Sequence, residues 1–268
     1  MKYGFIGTGC MGGALATACA KAIGPEDILL SNRSPEKAQA LAEKLGARPA
    51  DNETITRDCD VIFLGVKPQT MAQMLLPLQP ILTGRRTPFV LVSMAAGVTI
   101  EALQDMAGGR YPVVRIMPNT ACAVGAGMTT YTCSAEVTDR QRQAVLDALA
   151  ASGLLEEIEE GLMGAASAVA GCGGAYACLF LEGLADGGVL CGLPRKKAQR
   201  MAAQMLLGMA TQALESGEHT GALKDAVCSP AGSTIAGIRK LESMSFRSAA
   251  MEAVIAAWER EREMQQQK

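Results

Sequence analysis

Residues 7–12 read Gly7-Thr8-Gly9-Cys10-Met11-Gly12, a GxGxxG spacing set between an apolar run at 2–6 and a helical pattern at 11–23. Each glycine has its own use in that setting. Gly7 permits a tight turn, Gly9 lets the backbone approach a pyrophosphate, and Gly12 lets the helix pack close to the strand. The anion then meets free N–H groups at the positive end of a helix. The next strand ends in Ser31-Asn32-Arg33-Ser34. A site for NAD places an acid there to hold the ribose 2′-hydroxyl. No acid is present. Arg33 offers a planar donor fork to a 2′-phosphate instead, and Asn32 and Ser34 offer hydrogen bonds. These residues favour NADPH, with NADH as the alternative. Two later strand ends complete the cleft: Val66-Lys67-Pro68, and Ala95-Ala96-Gly97, whose small side chains leave room for a ribose or a nicotinamide.

Such residues need a frame. Short apolar runs at 2–6, 27–31, 60–66, 88–93 and 112–116 alternate with helical patterns, the signature of βαβ units. The apolar density of 60–66 and 88–93 suits parallel strands covered on both faces. A helix is expected at 138–152 and a short strand at 154–158. Beyond about residue 160 no strand pattern is found, and apolar residues recur at helical spacing through 162–190, 196–216 and 247–262. The expected architecture is an α/β N-terminal Rossmann-like domain with a mostly parallel sheet (residues 1–160), followed by an all-α C-terminal domain (161–268). The Glu/Arg alternation at 259–263 reads as a solvated helix end.

Composition narrows the function classes. Of 268 residues, 49% are apolar and the net charge is −2, so there is no basic footprint for nucleic acid and no polybasic patch for anionic lipid. The uncharged stretch 161–181 is long enough to span a bilayer, but its Ala, Gly, Ser and Cys content and the absence of flanking Lys or Arg favour a tightly packed helix, so no membrane is expected. Nine cysteines without a CxxC pair point to a reducing compartment, hence the cytoplasm, and to no metal site. A hydrolase triad would have to rest on the one histidine, His219.

Two further segments could carry chemistry. Arg115-Ile116-Met117-Pro118-Asn119-Thr120 follows a strand, and its Pro-Asn turn would face the nicotinamide cleft. His219–Thr234 is polar and punctuated by Gly and Pro. Within it, Ser229-Pro230-Ala231-Gly232-Ser233-Thr234 resembles a helix start able to receive a small carboxylate, although Ser229 before Pro230 is also an ordinary capping signal. Lys224 and Asp225, on one turn, either serve a site or stitch helices together.

GFIGTGCMG, VKPQ, SMAAGVTI, RIMPNTA and HTGALKDAVCSPAGSTIAGI, in this order, resemble the pyrroline-5-carboxylate reductase family over residues 2 to about 258. The resemblance implies NADPH-dependent reduction of a cyclic imine, 1-pyrroline-5-carboxylate, to L-proline. It places the pyrophosphate on Gly7 to Gly12 and the 2′-phosphate at Asn32 to Ser34. Lys67-Pro68 and Ala95 to Gly97 would line the nicotinamide ribose, and Asn119 would lie beside the nicotinamide. The carboxylate of the cyclic imino acid would sit on Ala231, Gly232, Ser233 and Thr234, with the Thr234 hydroxyl near the ring nitrogen. It also implies a homodimer through the C-terminal helices, with dimers assembling further in some members. Met201, Met205 and Met209 would then form a buried face at that contact. A nearly histidine-free chain suits this chemistry, because a protonated imine accepts hydride directly, whereas a ketone reductase needs a proton donor. The chain departs from the family pattern at Ala121, Ala170, Cys172, Gly174, Thr220 and Ala231. These changes keep two alternatives: a reductase of another cyclic imino acid or small oxo acid on the same architecture, or a non-catalytic NADP-binding module.

Overall fold

The computed structural model describes residues 1–266. Eight strands form one sheet: β1 (Tyr3–Ile6), β2 (Ile28–Ser31), β3 (Arg48–Pro49), β4 (Val61–Leu64), β5 (Val90–Ser93), β6 (Val113–Met117), β7 (Gly127–Cys133) and β8 (Gly153–Glu157). Their spatial order is β3-β2-β1-β4-β5-β6-β7-β8. Every pair is parallel except β6 with β7. The helices between them are α1 (Cys10–Ile23), α2 (Pro35–Leu45), α3 (Asn52–Asp58), α4 (Pro68–Leu75), α5 (Gln79–Gly84), α6 (Ile100–Ala107) and α7 (Asp139–Leu149).

The inner strands β1, β2, β4 and β5 are apolar at nearly every position because helices cover both sheet faces. Successive side chains alternate between the two. Tyr3, Phe5, Ile28, Leu30, Phe63 and Val92 pack with Leu15, Ala16 and Val145 from α1 and α7. Ile6, Leu29, Ile62, Leu64 and Leu91 pack with Ile55, Met71, Leu75 and Leu103 from α3, α4 and α6. Phe5 and Phe63 stack with ring centroids 4.3 Å apart. The outer strand β8 carries Glu156 and Glu157 exposed, which protects an open edge against pairing.

Past β8, α8 (Met163–Ala166) runs into a π-helical turn, Ser167–Gly171. Then follow α9 (Gly173–Leu190), α10 (Arg195–Ser216), α11 (Thr220–Ala226), α12 (Ser233–Ser243) and α13 (Phe246–Gln266). Two compact units result: Met1–Cys172 together with the chain from Ala257 on, and Gly173–Ala256. The expected division at 160 falls earlier. Residues 161–172 stay with the sheet because Met163 is fully buried there, its sulfur against the Thr130 hydroxyl of β7.

One expectation is corrected. The Glu/Arg alternation at 259–263 is not wholly solvated: Glu261 is only 8% exposed, inside the sheet-bearing unit. Arg260 and Glu263 do face solvent and pair with each other. The remainder of that tail, residues 267 and 268, lies outside the described residues.

Candidate functional site

The chain turns outward in two directions from β1, to β2 on one side and to β4 on the other. Ligands of open α/β sheets bind at the carboxyl ends of the strands at such a switch point. Three glycines close the strand ends here. A Cβ on Gly12 would stand 2.1 Å from the Gly7 carbonyl oxygen, and one on Gly65 would stand 2.3 Å from the same atom. Gly7 itself adopts φ +98°, and a Cβ there would stand 2.7 Å from the Gly65 carbonyl carbon. Gly9 is different. A Cβ there would meet nothing within 4 Å, so packing does not call for glycine. Beside it, the Thr8 hydroxyl is buried without a hydrogen-bond partner among the described residues.

Helix caps divide into two groups. Asp51 accepts from the Thr54 N–H at 2.7 Å, Thr99 from Ala102 at 3.1 Å, and Thr138 from Gln141 at 3.3 Å, capping α3, α6 and α7. The helices α1, α2 and α4 have no side-chain cap at Gly9, Ser34 or Lys67. These three directly follow β1, β2 and β4, which are neighbours in the sheet. Three uncapped helix starts therefore open on the carboxyl edge of three adjacent strands, a setting that favours anions through free N–H groups and the helix dipole.

The remaining residues expected for a cofactor lie on the same edge of this unit. Cys10 and Met11 open α1, with Cys10 exposed. Arg33 is exposed at the start of α2, between half-buried Asn32 and Ser34. Lys67 is exposed ahead of α4, between half-buried Val66 and Pro68. Ala95 is buried after β5, while Ala96 and Gly97 reach the surface in a turn with Gly97 at φ +70°. Asn119 is engaged within the protein at both ends of its side chain. Its Nδ2 donates to the Ala170 carbonyl at 3.0 Å, and its Oδ1 accepts the Met128 N–H at 3.3 Å. It clips the start of β7 to the π-turn.

In the helical unit, the Ser229 carbonyl accepts the Gly232 N–H at 3.0 Å, closing the turn before α12. Gly232 caps α12 with no side-chain bond, and Ser233 and Thr234 are exposed in its first turn. Ala231 adopts φ +56°, a left-handed conformation unusual for a residue with a Cβ. His219 has a structural task, since its Nδ1 accepts the Gly221 N–H at 3.0 Å and caps α11. Lys224 pairs with its neighbour Asp225 at 2.9 Å.

Sequence reasoning assigned no role to Arg115, yet it is the most buried charge of this region. It is 3% exposed on β6 and pairs with Glu160 at 3.0 Å. A single charge inside the apolar run Val113-Val114-Arg115-Ile116-Met117 was the available signal, since a buried charge needs a partner.

The family described as Pyrroline-5-carboxylate reductase dimerisation matches residues 160–264, and that described as NADP oxidoreductase coenzyme F420-dependent matches residues 2–97. A pyrroline-5-carboxylate reductase from Methanosarcina acetivorans is 40% identical over 98% of this chain and 97% of its own length. Among solved structures, the Plasmodium falciparum pyrroline carboxylate reductase with NADP bound superposes with a TM-score of 0.87 at 34% identity, covering 99% of this chain and 98% of the other. A pyrroline-5-carboxylate reductase from Coxiella burnetii superposes with a TM-score of 0.90 at 31% identity, covering 98% of this chain and 97% of the other.

Proposed function

The chain belongs to the pyrroline-5-carboxylate reductase family, and from that premise we propose how its own residues serve the NADPH-dependent reduction of 1-pyrroline-5-carboxylate to L-proline. The observation that carries the proposal is the cluster of three uncapped helix starts around the open space at Gly9. The first N–H groups of α1 and the Thr8 hydroxyl hold the pyrophosphate. Arg33, with Asn32 and Ser34 beside it, holds the 2′-phosphate. Lys67-Pro68 and the Ala95–Gly97 turn line the nicotinamide ribose. NADPH, when bound, supplies the hydride that adds to the imine carbon.

The turn Ala231–Thr234 receives the substrate carboxylate. Its support is physical: α12 begins without a side-chain cap, so its first N–H groups suit an anion. The Thr234 hydroxyl orients the ring nitrogen or passes it a proton through water. The histidine is occupied as a helix cap and is not required, since an iminium needs positioning and electrostatics more than acid–base catalysis. Asn119 acts on the π-turn and fixes the backbone on which the nicotinamide end rests.

The helical unit pairs with that of a second copy. Leu190 is 90% exposed, Leu179 72% and Leu214 69%, and Met201 and Met205 are exposed on one face of α10. That much apolar surface marks an interaction face. The stretch Glu160–Leu190 is long and apolar enough to cross a bilayer, but it is broken by the π-turn and falls within the dimerisation match. All nine cysteines are free, which suits a reducing cytoplasm.

NADPH oxidation by the purified protein with 1-pyrroline-5-carboxylate, with NADH in parallel, tests the reading. Proline should form with NADPH preferred. A preference for NADH would refute the Arg33 assignment. A Thr234→Ala variant with near-normal kcat/KM would refute the role of its hydroxyl.

A further inference from the structure

Arg115 lies on β6, four residues before Asn119, with its guanidinium almost fully buried. Its Nη1 donates to Glu160 Oε1 at 3.0 Å. The same oxygen accepts the Ile100 N–H at 2.7 Å. Ile100 is the first residue of α6, and only Val98 and Thr99 separate it from the Ala95–Gly97 turn. One carboxylate oxygen thus joins the strand to the start of a helix that the cofactor turn leads into.

A second acid approaches from the far end of the chain. Glu261 of α13 is buried next to Trp258 and Gly164; a Cβ on Gly164 would touch the Trp258 ring at 3.5 Å and the Glu261 carboxyl carbon at 3.9 Å. Burial pushes the Glu261 carboxyl up, while a hydrogen bond with Ser167 and the positive charge of Arg115 pull it down. Ser167 opens the π-turn, and Asn119 holds that turn at Ala170 near its other end.

Stability alone is a poor reason for this arrangement. Buried ion pairs are often matched or surpassed by apolar residues of equal volume. This one is also incompletely bonded: Arg115 Nε and Nη2 and Glu261 Oε1 are buried with no hydrogen-bond partner among the described residues. What the arrangement does provide is a fixed register among three segments far apart in sequence.

We propose that Arg115 is a positioning residue for the imine reduction, holding the start of α6, and with it the Ala95–Gly97 turn that leads into it, through Glu160. The inference rests on the site assigned under the proposed function. The held segment borders residues of that site, and a displacement of about 1 Å at a reacting centre can cost about 100-fold in rate.

Arg115→Met, Arg115→Lys, Glu160→Ala and Glu261→Gln are compared with wild type as full-length protein. The measurements are kcat, KM for the imine, NADPH affinity and peptide-resolved amide exchange. Arg115→Met is expected to lower kcat by about 10- to 100-fold, to leave the NADPH Kd within about threefold, and to speed exchange at 95–100 and not over the rest of the sheet. Arg115→Lys recovers part of kcat, because it keeps a cation beside Glu160. Glu160→Ala loosens 95–100 in the same way, whereas Glu261→Gln, which forms no ion pair with Arg115, leaves 95–100 unchanged. A folded Arg115→Met with wild-type kcat and exchange would overturn the proposal. So would exchange rising evenly over the whole sheet, the mark of a purely structural charge. If Arg115→Met does not fold, the acid variants decide by whether Glu160→Ala loosens 95–100 while Glu261→Gln does not. If the wild type turns over no imine, the reaction assignment fails, and the exchange pattern still decides the positioning claim.

Discussion

Gly9 and Gly12 stand three residues apart in one motif, yet the structure assigns them opposite sensitivities. A methyl group on Gly12 would sit 2.1 Å from the Gly7 carbonyl oxygen. That oxygen belongs to backbone and cannot rotate away, so Gly12→Ala falls at the severe end of overpacking, about 3 kcal/mol. For a chain of this size that lowers Tm by about 6–12 °C. A methyl on Gly9 meets nothing within 4 Å, and φ −70°, ψ −162° is open to alanine. Losing glycine as N-cap costs about 0.5–1 kcal/mol. The smaller unfolded-state entropy of alanine returns about 0.4–1 kcal/mol. The net change in the free protein is close to zero. With cofactor the order reverses, because the Gly9 methyl occupies the space reserved for the pyrophosphate. Loss of one charge-assisted backbone hydrogen bond, about 1.5–3 kcal/mol, weakens NADPH binding by about 10- to 100-fold. Thermal unfolding without cofactor, paired with a fluorescence titration of NADPH, reads both effects. Gly9→Ala that binds NADPH within twofold of wild type, or Gly12→Ala with an unchanged Tm, would refute the reasoning.

Other consequences follow from single residues. Arg33→Ala should raise the KM for NADPH at least about tenfold while leaving that for NADH within about twofold, since a guanidinium–phosphate pair is charge-assisted; equal loss with both cofactors would sink the 2′-phosphate assignment. Ala231→Gly should stabilise the protein by about 0.5–1 kcal/mol in urea unfolding at fixed protein concentration, because Ala231 is held at φ +56° and glycine is not strained there. Asp51→Ala should destabilise by about 1 kcal/mol at neutral pH. Its hydrogen bond from the Thr54 N–H holds the Asp51 carboxyl below its ordinary range, so the native state favours the ionised form. This contribution is complete above the unfolded-state value and disappears as pH falls through the lowered one, so wild type and variant should converge in acid unfolding curves.

Much of this molecule was legible in its sequence because the relevant signals are local. Strand period, helix period and glycine spacing are set by neighbours a few residues away, and they placed β1, β2, β4, β5, β6 and the GxGxxG turn within a residue or two. The absence of an acid after β2 spoke to the cofactor for the same reason. Less regular segments escaped. The strand β7 carries Thr129, Thr130 and Thr132, which read as polar but are buried with their hydroxyls engaged or enclosed. The two-residue β3 is too short for any period to register.

Which uncapped helix starts would share one edge depended on sheet order, because only the neighbouring placement of β2, β1 and β4 brings α1, α2 and α4 together. Asn119 could be seen as a turn residue, but its grip on Ala170 and Met128 could not, since its partners are chosen by packing. The joining of Arg115 to Glu160 was the least accessible of all. No periodicity links a strand in the middle of the chain to an acid 45 residues on, and only the fold brings the one charge to the other. The sequence by itself determined the local elements and the chemistry of the cofactor turn. The tertiary structure decided which distant side chains meet there, because a buried charge is answered by whatever the fold brings within reach.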